Sequence, residues 1–578
     1  MDPVVDLPHV SSGTDRDMPD PAASTPVAPE QFVLAVASLT TLSACGGGSG
    51  GGSSATPSPI APEPSPEPSP PTTTQAARFL QQAAFSSSEA DAANVQALGY
   101  AAWLEREFAK PISQSNWEWL YAHGYADLSF INSSAGASNV IWQRLITADD
   151  VLRQRVTLAL SEIFVVGFQG VTSIPYRPFV MAAWWDLLCE HAFGNYRTLL
   201  EAVTLSAAMG RYLNTSGNQK EDPARGRQPD ENYAREVLQL FSIGLYELNP
   251  DGTTKLGDNG QPIETYTQDT VTQLARVFTG WSIPAPKPVT DPSFARLPMT
   301  LNAAQHSTLE ARFLGATVPA GTDGRTALGI ALDTIFKHPN VGPFIGRQMI
   351  QRLVTSNPSP AYVARVAAAF DDNGQGIRGD LRALVRAVLL DEEARSDAWS
   401  ANPGFGKLRE PMLRFLQWAR TFRASSTDGA WGISDLSDPG SRLGQQPLNS
   451  PSVFNFFRPG YVPPNTGIAA QGLVAPEFQL VHETSVAGYM NFMQTVVASG
   501  TGKVVADYSP ELAIADDAQA LVQRMNLLLC AGAMSTATQS TLRDALATIS
   551  TSTETGRKNR VHAAVFMTLC CPDYLIQK

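Results

Sequence analysis

The chain has 578 residues, 43% of them apolar and 17% charged, with a net charge of −12. Its length exceeds what one hydrophobic core usually organises, and the composition excludes both a wholly disordered chain and a polytopic membrane protein. Residues 1–75 hold eight acidic residues against Arg16 alone among Lys and Arg, so the remainder is nearly balanced; with no basic run to neutralise phosphates, nucleic-acid binding is excluded.

Gln31 to Ala44, QFVLAVASLTTLSA, is an uncharged apolar stretch too short to span a bilayer but suited to a signal-peptide core. It ends in Leu42-Ser43-Ala44-Cys45, which resembles a bacterial lipobox with Cys45 as the acylated residue. Residues 1–45 therefore read as a signal-like segment, although the acidic, Pro- and Asp-rich start departs from the short basic pattern. Residues 46–75, rich in Gly, Ser and Pro, read as a disordered spacer. The expectation is an exported lipoprotein tethered to the envelope; Gly46 after the Cys resembles outer-membrane sorting.

From Ala76 the apolar residues recur at intervals of three and four, so the body is expected to be mainly α. Helices are predicted near 76–85, 88–109, 147–166 with Thr147 as N-cap, 176–192, 196–213, 230–246, 267–279, 325–336, 341–355, 360–372, 379–391, 407–423, 477–498, 516–531, 536–549 and 557–577. Strand signals are few, 297–301 and 311–318, flanking a Pro-rich stretch, SIPAPKPVTDPSFARLPM, that could form a small hairpin or a lobe boundary. The body is divided accordingly into a helical lobe 76–281, an insertion 282–324 and a second helical lobe 325–578.

Five cysteines occur without a CxxC pair or interleaved His, which argues against structural zinc. Cys530 could bridge Cys570 or Cys571 in an oxidising compartment, but small buried thiols are the preferred reading. The densest polar text is Asn214–Glu247, a charged loop running into a helix with Asp230 as expected N-cap. Lys220, Arg225 and Arg227 could hold an anionic group, with Asn232 beside them. Asp230, Glu231, Arg235 and Glu236 are the candidate catalytic or ligating residues; the alternative is a salt-bridged network pinning a loop.

The strings AARFLQQAAF, LRQRVTLALSEIFVV, NYRTLLEAVTLSAAMGRYLN, DPARGRQPDENYAREVLQLFSIGLYELNPDG, LARVFTGW, HPNVGPFIGRQMIQRLVTSNPSPAYVARVA, RGDLRALVRAVLLDEEAR, KLREPMLRFLQW and PLNSPSVFNFFRPGYVPP together resemble the bacterial domain of unknown function 1800 family over about residues 76–578. The resemblance implies an exported, largely helical protein, often accompanied by a sulfatase-like exported partner, and no established reaction. Its motif residues fall on Asp222, Gly226, Arg227, Pro229, Asp230, Glu231, Asn232, Tyr233, Arg235 and Glu236, without assigned roles.

His306, His338 and His482 are weak metal-ligand candidates that could converge with Asp230 or Glu236, which leaves a divalent metal open as a cofactor; a lone His is more often a cap or a core hydrogen-bonder. Residues 371–382, DDNGQGIRGDLR, partly match a calcium loop, but Arg382 stands where the bidentate Glu is needed, and a turn leading to a helix capped by Asp380 suffices. The aromatic loop 447–464, with Phe454, Phe456, Phe457, Tyr461 and Arg458, could wall a sugar- or peptide-binding groove. No GxSxG, HExxH, GxxxxGKS/T or strand-to-helix GxGxxG occurs, so no nucleotide cofactor is expected. The sequence thus points to an envelope-anchored scaffold or accessory subunit working with a secreted partner on a cell-surface or extracellular polymer. The alternative is a hydrolase or metal-dependent enzyme centred on the DPxxGRxPDENYARE motif.

Overall fold

The computed structural model describes residues 69–578, so Cys45, the signal-like segment and most of the spacer lie outside the described residues. The described chain is mainly α: twenty-five α-helices joined by short 3-10 turns and eight strands of two or three residues. The described residues form one compact unit. Its apolar core runs from Ala76 to Tyr574, so 76–281 and 325–578 contribute to the same core.

The helices follow the apolar stripes, and their ends follow local chemistry. Thr73–Ala83 opens on a capping box in which Thr72 accepts the Gln75 N–H and the Gln75 side chain accepts the Thr72 N–H. The segment expected as one helix over 88–109 is two, Glu89–Leu98 and Tyr100–Ala109. The break falls at Gly99, whose φ of +76° is a conformation other residues rarely adopt. Likewise 196–213 splits into Tyr196–Leu205 and Ala207–Tyr212, because the Ser206 hydroxyl accepts the Met209 N–H and starts a new helix.

Thr147 is not an N-cap. It closes the helix Ala137–Thr147, and the next helix, Val151–Ser161, follows Asp150. The expected helix 407–423 begins instead as the strand Lys407–Leu408, and helix Pro411–Thr421 starts where Pro411 fits the first turn. Pro572 similarly separates Glu554–Cys570 from Pro572–Leu575. Six helices lack a counterpart in the sequence reading: Asn116–Ala122, Ala137–Thr147 and the short Glu392–Arg395, Asp397–Ala401, Gly467–Ala470 and Ser509–Ala513.

The two segments expected as strands do not pair with each other: 311–318 folds back on itself, Ala311–Phe313 pairing antiparallel with Ala316–Val318. Thr300–Leu301 pairs with Trp281–Ser282. Two further ladders tie distant segments, Lys407–Leu408 with Ile576–Gln577 and Ser425–Ser426 with Val504–Val505. Trp142, Trp184, Trp185, Trp281 and Trp418 are fully buried in the core. Cys189, Cys530, Cys570 and Cys571 are free. Among the described residues no helix is long and apolar enough to cross a membrane.

Candidate functional site

The polar motif folds as a loop closed on itself. Asp222 and Arg227 exchange both backbone hydrogen bonds, at 2.9 and 3.0 Å, around a left-handed Gly226. The Asp222 carboxylate lies 3.7 Å from Arg225 and 4.0 Å from Arg227. Lys220 donates its backbone N–H to the Gln305 carbonyl, and Arg227 Nε donates to the Lys220 carbonyl. The Asn218 side chain accepts the Asp230 N–H at 2.9 Å and donates to the Asp230 carbonyl at 3.2 Å.

Asp230 is not the residue flanking the helix. Asn232–Gln239 starts after Glu231, while the Asp230 carboxylate accepts the Asn232 N–H at 2.8 Å. The expected continuation to 246 fails because the chain turns out of the helix after Gln239 and bends at Gly244. Glu231 is saturated, accepting from Arg235 Nη2 at 3.2 Å, Gln268 Nε2 at 2.7 Å and Thr272 Oγ1 at 2.6 Å. Glu236 is buried and lies roughly 140° around the helix from Glu231. Burial raises its pKa against the lowering effect of Arg235, and its Oε2 has no hydrogen-bond partner among the described residues. Asn232 is half-buried in the first turn.

The histidines have separate local tasks. His306 is buried with Nδ1 3.0 Å from the Thr279 carbonyl. His338 Nδ1 accepts the Asn340 N–H, and His482 Nδ1 accepts the Ser485 N–H as the cap of helix Glu483–Ser499. Among the described residues no group of three His, Cys, Asp or Glu is arranged to hold a metal. In the 371–382 turn, Asp371 pairs with Arg378, and Asp380 caps helix Leu381–Leu390 by accepting the Arg382 and Ala383 N–H groups.

The segments that carry the motif strings meet elsewhere, around a cleft of about 440 Å3. Its walls come from Glu162 and Ile163 after helix Val151–Ser161, from Gln239 to Leu248, from helix Val341–Leu353, and from Val453, Phe454, Pro459 and Gly460 of the aromatic loop. Helix Val341–Leu353 presents Phe344, Arg347, Gln348, Gln351 and Arg352, spaced three and four apart and so on one face. Its Ile345, Met349, Ile350 and Leu353 enter the core. Asn340, fully buried just before this helix, donates to the Ile243 and Tyr246 carbonyls and accepts the Leu248 N–H, fixing the wall opposite. Gly244, with φ +73°, lies against Phe344: a Cβ there would stand 2.8 Å from the ring.

Beneath the cleft lies a buried cluster of three cations and three carboxyls, none more than 4% exposed: Arg155, Arg352 and Lys407 with Glu162, Glu410 and Glu477. Arg352 Nε is 3.4 Å from Glu162, and Lys407 Nζ is 2.9 Å from Glu477 and 3.5 Å from Glu410. Gln445 donates to Glu410 at 2.8 Å. Lys407 and Arg155 also donate to the Arg352 carbonyl, at 3.0 and 2.6 Å. Burial and the neighbouring Glu410 charge push the Glu162 carboxyl well above the usual carboxylate range, against Arg352. Burial also acts on Glu410, but the Lys407 ammonium and Arg155, with the hydrogen bond from Gln445, together hold it lower than an ordinary carboxyl.

Of the residues singled out in the sequence, Phe454 of the aromatic loop lines this cleft and Arg458 stands beside it, its guanidinium 4.6 Å from the centroid of the Phe454 ring. The floor went unrecognised because Glu162, Gln348, Gln351, Arg352, Lys407 and Glu410 read one at a time as the solvent faces of amphipathic helices. A signal was present: seven polar or charged residues crowd the short strings RQMIQR and KLRE. A larger cleft, about 770 Å3 and lined by Trp117, Trp184, Asp186 and Arg296, draws on only one of the motif strings.

Fold and site together define a class: a mainly α globular protein with one shared core and a cleft floored by internally compensated buried charge. The family model described as "Protein of unknown function (DUF1800)" matches residues 78–576, and the chain belongs to that family. No curated protein and no solved structure matches it.

Proposed function

We propose that the protein is an exported, lipid-anchored accessory subunit that holds a segment of a cell-surface or extracellular polymer in the 440 Å3 cleft, beside a secreted partner. The lipobox-like Leu42–Cys45 and the Gly/Ser/Pro spacer support the tether. The observation that carries the binding role is the cleft itself: apolar and aromatic walls from segments far apart in sequence, around a few polar groups fixed on a rigid helix. At the motif helix, Asp230 and Glu231 are already engaged by backbone and side-chain donors, which suits a pinned loop better than a reacting centre.

The test fills the cleft. Gly460 lines it, and a Cβ added there would meet nothing within 4 Å, so Gly460→Trp should fold and obstruct. The full-length protein is expected to co-sediment with at least one insoluble polysaccharide, and the Trp variant to lose that retention. Retention of no polymer, or equal retention of both proteins, would overturn the reading. An unmodified Met1 in a cytosolic fraction would remove the tether.

One observation favours a second reading, polymer hydrolysis: Glu162 lines the cleft, and burial beside Glu410 pushes its carboxyl well above the usual carboxylate range. It would move the candidate acid from the motif helix to Glu162. Turnover of a retained polymer that is lost in Glu162→Gln would establish it.

A further inference from the structure

Three features of the cleft bear on what it holds. Arg347 stands exposed on the lining face of helix Val341–Leu353, and desolvation alone moves its pKa, downward, with no carboxylate offsetting it. Gln348 Nε2, a donor, and Gln351 Oε1, an acceptor, have no hydrogen-bond partner among the described residues, although both side chains are more than nine-tenths buried. Phe344, Phe454 and Tyr246 supply aromatic surface around them.

From this geometry we infer that the cleft seats an anionic sugar unit, carboxylated or sulfated, with Arg347 as the charge partner and Gln348 and Gln351 hydrogen-bonding ring hydroxyls. The inference rests on the polymer-binding reading and names its ligand class.

A sugar ring has apolar C–H faces that lie on aromatic rings, and hydroxyls that both donate and accept, matching the two free amide atoms. A neutral sugar would use the amides but leave Arg347 without a partner. An acidic group gives that guanidinium a charge-assisted, bidentate contact. Arg352, next along the same face, is committed to Glu162 and so does not compete for the anion. Arg458, stacked on Phe454, adds a second positive charge beside the wall. The Glu247 carboxylate next to Tyr246 is paired with Lys255 at 3.4 Å. A peptide is the weaker fit, since no lining residue belongs to a strand whose edge could pair with an extended backbone.

The experiment is calorimetric titration of the full-length protein with four probes of similar length: an oligogalacturonate, a sulfated galacto-oligosaccharide, a neutral galacto-oligosaccharide and oligo-glutamate. At low ionic strength one of the two acidic sugars is expected to bind at least about tenfold more tightly than the neutral one. Whichever is tighter identifies the anion. Arg347→Gln should erase that preference and leave the neutral sugar unchanged, Arg347→Lys should recover part of it, and Gln348→Ala should weaken acidic and neutral sugars together. Thermal unfolding of each variant confirms that it is folded. Equal affinity for acidic and neutral sugars, both lost in Gly460→Trp, would overturn the inference and leave the polymer reading standing. Binding of no saccharide, or of oligo-glutamate alone, would overturn both.

Discussion

Lys407 is the residue on which the buried cluster turns, because its ammonium serves two carboxylates that have no water to fall back on. Lys407→Met would leave Glu410 and Glu477 without the cation nearest to both, and breaking such a buried pair costs about 3–5 kcal/mol. Urea unfolding should show that loss, and the double variant Lys407→Met with Glu477→Leu should recover part of it, since removing both partners avoids an uncompensated charge. The Glu231–Arg235 pair is a contrast: both side chains are about one-third exposed, so Arg235→Ala should cost no more than about 1 kcal/mol and leave the protein folded. Asp186 gives a pH-dependent case. It accepts the Asn116 and Trp117 N–H groups, yet burial raises its pKa from 3.8 to about 6. A carboxyl with a raised folded-state pKa binds its proton more tightly in the fold, so the stability it contributes is full below the ordinary value and is lost as pH rises to about 6. The loss is at most about 3 kcal/mol. Unfolding midpoints at pH 4.5 and 7 should show that decline in the wild type and a flatter profile in Asp186→Asn.

At the scale of elements, Gly244 joins a turn to a wall. A Gly244→Ala substitution meets both a left-handed φ and the Phe344 ring, so it should cost about 1–3 kcal/mol and displace Phe344 from the cleft. Unfolding measures the first effect and loss of polymer retention the second. The same turn explains what the sequence could and could not disclose. Stripes such as Leu328, Ala331, Leu332 and Ile335 announce a helix because burial repeats with the helical period. Breaks at Gly99, Ser206 and Pro411 were written in residue types whose backbone preference outweighs the stripe beside them. Asn116–Ala122, NWEWLYA, is too short to display a period. The cleft was less legible still. The motif helix attracted attention through its charge, and that charge is spent locally on Gln268 and Thr272. The cleft's floor joins Arg155 to Glu477, more than three hundred residues apart, and periodicity within one segment carries no information about which segments meet.

Across the whole molecule, the cleft depends on how the two ends of the described chain are held. Helix Thr73–Ala83 and the last residues lock onto the same neighbours: Gln81 accepts from Arg409 at 2.6 Å and donates to the Leu529 carbonyl at 3.1 Å, and Gln82 donates to the Lys578 carbonyl at 3.2 Å. Ile576–Gln577 forms the ladder on Lys407–Leu408, and Gln577 Nε2 donates to the Leu353 carbonyl at 2.8 Å, at the end of the cleft-lining helix. The residue whose backbone this ladder holds is therefore the one whose ammonium neutralises the cluster. Deleting residues 576–578 strips the ladder partner from Lys407–Leu408 and the donor from Leu353, and each buried polar group left without a partner costs about 1–3 kcal/mol. The truncated protein is expected to unfold at a lower temperature and to lose retention of any polymer that the intact protein holds, although none of the deleted residues lines the cleft. If the tail were only a surface appendage, calorimetry would find the transition temperature unmoved and co-sedimentation intact. Because one continuous core serves the whole body, the tail's loss should shift the entire unfolding transition downward rather than split off a minor one at low temperature.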